Sequence, residues 1–128
     1  MRVDDAFLPL GEKCLKSHYE GYEYSLCLYK DVTQKGLIAR GCSLSAYRLL
    51  LAGGRSTGGT VSLGKGGHWV TPGTEFVMEG GAACPNKVQR QTTVRFKCTT
   101  GEDSLDAMEE FEMCKYGAVV STPAACIL

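Results

Sequence analysis

The chain has 128 residues, the length of one domain, and its 14 Lys and Arg balance 14 Asp and Glu. That balance gives no overall electrostatic pull toward nucleic acid or an anionic membrane. No apolar run approaches the ~20 residues that span a bilayer, and the start, Met1-Arg2-Val3-Asp4-Asp5, lacks the apolar stretch of a signal peptide.

In chain order, the first clear element is Tyr22–Tyr29. Tyr22, Tyr24, Leu26 and Leu28 alternate with Glu23, Ser25, Cys27 and Tyr29, the period of two that marks a strand. Ser45–Leu51 (SAYRLLL) reads equally as a short helix or a buried strand, and Gly53–Gly59 reads as a flexible loop. Gly64-Lys65-Gly66-Gly67-His68 is glycine-rich but lacks the spacing of a phosphate loop, so it reads as a turn. Trp69-Val70 and Glu75–Met78 are short strands around the turn signal Thr71-Pro72-Gly73. Thr92–Cys98 is β-branched, with Val94, Phe96 and Cys98 on one face and Arg95 and Lys97 on the other. Over Glu102–Phe111, Asp103 or Ser104 is placed to cap a helical turn. Gly117–Val120 is a further strand, ended by Pro123. These elements predict an all-β fold, an antiparallel sandwich of two sheets or a flattened barrel, with 16 glycines serving tight turns.

Seven cysteines are many for a reduced compartment: Cys14, Cys27, Cys42, Cys84, Cys98, Cys114 and Cys126. None forms a C-x-x-C pair, and His18 and His68 are single and far apart, so neither a metal nor a cofactor is expected. A disulfide framework fits better. It calls for an oxidising compartment, which predicts that the chain is one domain of a larger secretory-pathway protein; a cysteine-rich cytosolic protein is the rival. No nucleophile elbow, H-E-x-x-H or calcium loop is present. Glu110 with Asp106 is the only suggestion of a glycosidase pair, and no second carboxylate is fixed in a partner strand.

The C-terminal half repays reading as a unit. Cys84 is followed by Arg90-Gln91-Thr92-Thr93-Val94-Arg95, Cys98, Glu110, Cys114, Tyr116 and Thr122-Pro123-Ala124-Ala125-Cys126. Upstream stand Tyr22–Cys27, Val32-Thr33-Gln34-Lys35, and Ser62-Leu63-Gly64 with Trp69 five residues on. The arrangement resembles the mannose-6-phosphate-receptor-homology (MRH) domain, a P-type lectin fold, and most resembles the copy in the β subunit of endoplasmic-reticulum glucosidase II. It covers roughly residues 10–35 and 62–126.

The resemblance implies one MRH lectin domain over residues 1–128, with its core at 10–126 and an atypical insertion at about 36–61. It implies mannose binding by Gln34, Arg90, Glu110 and Tyr116, and disulfides Cys14–Cys27, Cys84–Cys114 and Cys98–Cys126. The implied role is non-catalytic. The domain engages terminal mannose of high-mannose N-glycans in the endoplasmic-reticulum lumen, and a separate catalytic α subunit trims glucose. The alternative is the MRH domain of the phosphotransferase γ subunit, or another reader of mannose or mannose 6-phosphate, with Lys87 as the cation for phosphate. The residue types suit the task without the name: Arg donates, a carboxylate accepts, a Gln amide does both, and Tyr adds a hydroxyl and a flat ring. Two features depart from the family. Pro85 stands where glucosidase II domains carry a Trp, so Trp69 or Tyr47 is expected to supply that apolar wall. Cys42 lies in the insertion without a family counterpart.

Overall fold

The computed structural model describes residues 3–36, 60–85 and 87–126. Ser45–Leu51, Gly53–Gly59, Cys42 and Tyr47 lie outside the described residues.

Two short helices, α1 (Val3–Phe7) and α2 (Pro9–Glu12), precede eight strands. These are β1 (Leu15–Tyr19), β2 (Tyr22–Cys27), β3 (Asp31–Gly36), β4 (Thr60–Thr71), β5 (Glu75–Glu79), β6 (Gln91–Cys98), β7 (Ser104–Glu112) and β8 (Lys115–Thr122). A 3-10 turn, Pro123–Cys126, ends the fold. The hydrogen-bonded order is β1-β2-β3-β4-β5-β6-β8-β7. The ladder is continuous because the long strand β4 pairs with β3 at one end and β5 at the other. All neighbours are antiparallel except β6 and β8, which run parallel. The Tyr19 hydroxyl donates to the Asp106 backbone carbonyl, so β1 meets β7 and the sheet curls into a nearly closed barrel.

Alternation fills the interior as expected. Leu26 and Leu28 from β2 and its turn, Val32, Leu63, Met78, Val94, Phe96, Ala118 and Val120 are all buried in one cluster. Arg95 and Lys97 point outward. Phe7 closes the far end, edge-on against Trp69 and Phe96 at centroid distances of 4.9 and 4.8 Å. The three disulfides join Cys14–Cys27, Cys84–Cys114 and Cys98–Cys126, the pattern the resemblance implies.

Two local expectations fail. Glu102–Phe111 forms no helical turn; most of it is strand β7. Leu105 and Met108 face the core while paired with Val120 and Ala118 on β8. The would-be caps are engaged elsewhere: the Thr122 hydroxyl donates to Asp103, and the Ser104 hydroxyl donates to Asp106 at 2.6 Å. Pairing with β8 therefore outweighs a local capping preference. The second failure is Gly64–His68, which is not a connecting turn but a bulged part of β4. Here the backbone runs hard against β5. A Cβ on Gly64 would lie 2.3 Å from the Met78 carbonyl oxygen, and one on Gly67 would lie 2.5 Å from the Phe76 ring. The glycines are needed for close approach inside the strand, as bulges often demand.

Candidate functional site

One end of the barrel changes character. Following the inward-facing positions along each strand, Val120 and Ala118 lead to Tyr116 on β8, and Phe96 and Val94 lead to Thr92 on β6. The same step takes Met108 to Glu110 on β7, Leu26 to Tyr24 on β2, and Val32 to Gln34 on β3. Two residues before Thr92 stands Arg90. Period two thus carries the apolar core to this end and then replaces it with polar side chains from five strands and a loop. Cross-strand register places Thr92 beside Tyr116, Tyr116 beside Glu110, and Tyr24 beside Gln34.

Gln34 Nε2 donates to the Tyr24 hydroxyl at 3.0 Å. Burial pushes the Tyr24 phenol up from its ordinary pKa; the Gln34 hydrogen bond pulls the other way, and the nearby Tyr116 and Tyr22 hydroxyls add to the rise. Thr92, fully buried, donates from its hydroxyl to the Leu63 carbonyl at 3.0 Å and ties β6 to β4.

Arg90 is held from both sides. Its backbone N–H donates to the Ala82 carbonyl, and its own carbonyl accepts from Gly81. Its Nη1 donates to the Ala82 and Ala83 carbonyls at 3.2 and 3.0 Å. Its Nε is buried and has no hydrogen-bond partner among the described residues. A buried guanidinium donor without an acceptor is uncommon, and its desolvation is costly unless something accepts from it.

Glu110 is exposed, yet one carboxylate oxygen is fixed: Oε2 accepts from the Cys114 backbone N–H at 2.8 Å. The Cys114 carbonyl in turn accepts from the Gln91 N–H. Cys84–Cys114 therefore clamps the loop that carries Arg90 to the turn that joins Glu110 to Tyr116. Cys98–Cys126 and Cys14–Cys27 lie toward the other end of the barrel, so Cys84–Cys114 is the bridge that braces this opening. This end of the barrel gathers a Glu, a Gln and two Tyr from its strands, with Arg90 on the adjoining loop. Such a set suits a small polyhydroxylated ring.

The model of the family described as "Glucosidase II beta subunit-like protein" matches residues 2–128. This chain belongs to that family. Its fold is that of solved MRH domains. The MRH domain of glucosidase II beta bound to mannose is 21% identical, with a TM-score of 0.63 over 92% of this chain and 97% of that one. The Yos9 MRH domain complexed with alpha3,alpha6-Man5 is 17% identical, with a TM-score of 0.65 over 98% and 83%. A point mutant of the glucosidase II beta MRH domain is 22% identical, with a TM-score of 0.60 over 89% and 93%. A search of curated protein sequences finds no match.

Within this glucosidase II beta-like fold, several side chains singled out in the sequence serve other ends. Trp69 is not at the opening: it packs on Phe7, Phe76 and Phe96, and its indole N–H donates to Asp4 at 3.0 Å. It stands eight positions along β4 from Val61, the partner of Gln34. It therefore does not replace the family Trp at the exposed Pro85. Asp106 accepts from Ser104 and Ser121, which hold its carboxyl below the usual range, with Lys97 assisting against partial burial. An anchored, ionised carboxylate cannot serve as a glycosidase acid. Lys87 sits exposed on a turn at φ 70°. His18 pairs across the β1–β2 ladder with Glu23 at 3.6 Å. The sequence reading missed Tyr24 as a site residue. Its signal was present: it is the polar member at the end of the run Leu28, Leu26, Tyr24.

Proposed function

We propose that the chain is a single non-catalytic lectin domain that binds terminal mannose of high-mannose N-glycans through Gln34, Arg90, Glu110 and Tyr116, with Tyr24 orienting Gln34. The observation that carries this reading is the run of inward-facing polar positions at one end of the barrel, where Tyr24, Gln34, Glu110 and Tyr116 end the core-facing alternation of their strands and Arg90 stands on the adjoining loop. Sugar hydroxyls both donate and accept, which suits that mix of groups. Mannose differs from glucose in one axial hydroxyl, and a site that hydrogen-bonds that group penalises the epimer by leaving buried polar atoms unpaired. The glucosidase II beta and Yos9 domains of like fold, described as bound to mannose and to a mannose oligosaccharide, support the same ligand class. Family membership supports the wider role: a regulatory β subunit in the endoplasmic-reticulum lumen that holds a glycan while a catalytic α subunit removes glucose. That role needs little affinity. A millimolar site supplies only ~4 kcal/mol, and tethering raises the local concentration of the glycan.

The test is calorimetric titration with methyl α-mannoside, methyl α-glucoside and mannose 6-phosphate. The reading expects mannoside binding, little glucoside binding and no gain from phosphate. Arg90→Lys and Glu110→Gln should each abolish measurable binding in folded protein. Parent-like binding by either variant would remove that residue from the site, and preference for glucoside or phosphate would overturn the ligand assignment.

A further inference from the structure

Opposite the barrel interior, the outer face of β5, β6, β8 and β7 carries a groove of about 320 Å³ that the proposed mannose site does not use. Its floor is made of small side chains from three strands: Thr93 on β6, Gly117 and Val119 on β8, and Ala107 on β7. Register explains the row, because Thr93 pairs with Gly117, which pairs with Glu109, while Arg95 pairs with Val119, which pairs with Ala107. Phe111 stands at the groove's end. It is 56% exposed, a high value for so large an apolar side chain. One edge of its ring rests over Gly117, where an added Cβ would lie 3.5 Å from Cδ1. Glycine at 117 thus leaves room for the ring to settle on the sheet with the rest of it open.

The polar groups around this ring are mixed in sign. Arg95 approaches Glu75 at 4.0 Å, and Glu109 adds a carboxylate on the other side. Thr93 adds a hydroxyl to the lining. A bare aromatic platform flanked by a donor fork, two carboxylates and a hydroxyl favours a neutral polyol over a phosphate, a lipid or a strongly basic peptide. The groove also adjoins the mannose site, because Glu109 and Phe111 face outward on either side of the inward-facing Glu110.

We propose that this groove is a second carbohydrate subsite, which takes another arm of the same branched mannose oligosaccharide as it leaves the barrel opening over β7. One pyranose ring lies against Phe111, and its hydroxyls meet Glu109, Thr93 and Arg95. The proposal rests on the lectin reading above and extends it from one sugar to a branched ligand. It makes the domain selective for glycans with two accessible arms, by linking two weak contacts.

The test uses the isotope-labelled domain titrated with methyl α-mannoside and then with a branched mannopentaose. The monosaccharide should shift amides around Gln34, Arg90 and Tyr116 only, and the pentasaccharide should also shift Thr93, Ala107 and Val119. Phe111→Ala should weaken pentasaccharide binding about fivefold to tenfold, the size of one aromatic contact, and leave mannoside affinity unchanged. Phe111→Tyr, which keeps the platform, should restore the difference. Unmoved Thr93 and Val119 amides, or equal pentasaccharide affinity in parent and Phe111→Ala, would overturn the subsite while leaving the mannose site standing. Failure of both sugars to bind would sink the lectin reading and this extension together. Shifts that track protein concentration instead of sugar would assign the groove to a second copy of the chain and likewise overturn it.

Discussion

The bridges Cys84–Cys114 and Cys14–Cys27 offer a clean separation of folding from binding. The first spans a sequence separation of 30, for which loop-closure entropy amounts to ~3.6 kcal/mol at 25 °C. The second spans 13, or ~2.9 kcal/mol. By this measure Cys84→Ala/Cys114→Ala and Cys14→Ala/Cys27→Ala cost comparable stability, each a large part of what a domain this size has to lose. Their effects on ligand differ. The Cys114 N–H holds the Glu110 carboxylate, and its carbonyl holds Gln91, next to Arg90. Releasing that turn frees a charge-assisted hydrogen bond from its fixed geometry, so affinity for mannoside should fall about tenfold or more. The bridge at the other end touches none of these groups. Its removal should leave affinity at the parental value wherever the protein remains folded. Urea unfolding gives the stabilities, and titration of both variants well below their unfolding midpoints gives the affinities. Equal affinity loss in the two variants, or none in either, would refute the claim that the Cys84–Cys114 clamp shapes the site.

Two further outcomes follow from close contacts and charge. Gly81→Ala places a Cβ 2.7 Å from the Ser62 carbonyl oxygen and 2.8 Å from that of Arg90; the Arg90 segment must move away, and mannoside binding should weaken several-fold with a smaller loss in melting temperature, both measurable on one purified sample. Asp106 has a depressed folded-state pKa, chiefly through the Ser104 and Ser121 hydroxyls, so its ionised form stabilises the fold above the unfolded value of ~3.9 and that contribution is lost as pH falls through the folded value. The stability difference between parent and Asp106→Asn in urea should be constant from pH 5 to 7 and shrink below pH 4; a difference that grows with acid would show the sign to be wrong.

How much of this was legible in the sequence differs from strand to strand. β2 and β6 were readable because each has one face toward the core and one toward water, which writes period two into the chain. β7 was not. It is an edge strand with a bulge between Leu105 and Ala107, so its apolar residues fall out of strict alternation and its acidic residues mimic a helix start. The bulge in β4 was also hidden. Glycines at 64, 66 and 67 announce unusual backbone, but only the position of β5 reveals that they sit inside a strand. At the opening, the family pattern pointed to Gln34, Arg90, Glu110 and Tyr116, whereas Tyr24 was hidden for a geometric reason. Its strand and that of Tyr116 lie far apart in the hydrogen-bonded order, and the curl that brings β1 to β7 turns both toward one opening. A strand's own alternation cannot report on that curl.

Binding and stability pull against each other at Arg90. Its buried Nε carries a desolvation cost of ~1–3 kcal/mol that no described residue offsets. Arg90→Met keeps the stem's packing and removes the donor. It also gives up the Nη1 bonds to Ala82 and Ala83, but the Ala82 carbonyl still accepts from the residue-90 backbone N–H, and Ala83 is exposed to water. The losses are therefore small, ~1 kcal/mol in all, and the variant should be as stable as the parent or up to ~2 kcal/mol more stable, while binding no mannoside. Added mannoside at saturating concentration should raise the parent's unfolding midpoint and leave that of the variant unmoved. A variant that loses several kcal/mol would instead make Arg90 a structural post. The polar opening would then owe its residues to folding, with no need of a sugar to explain them.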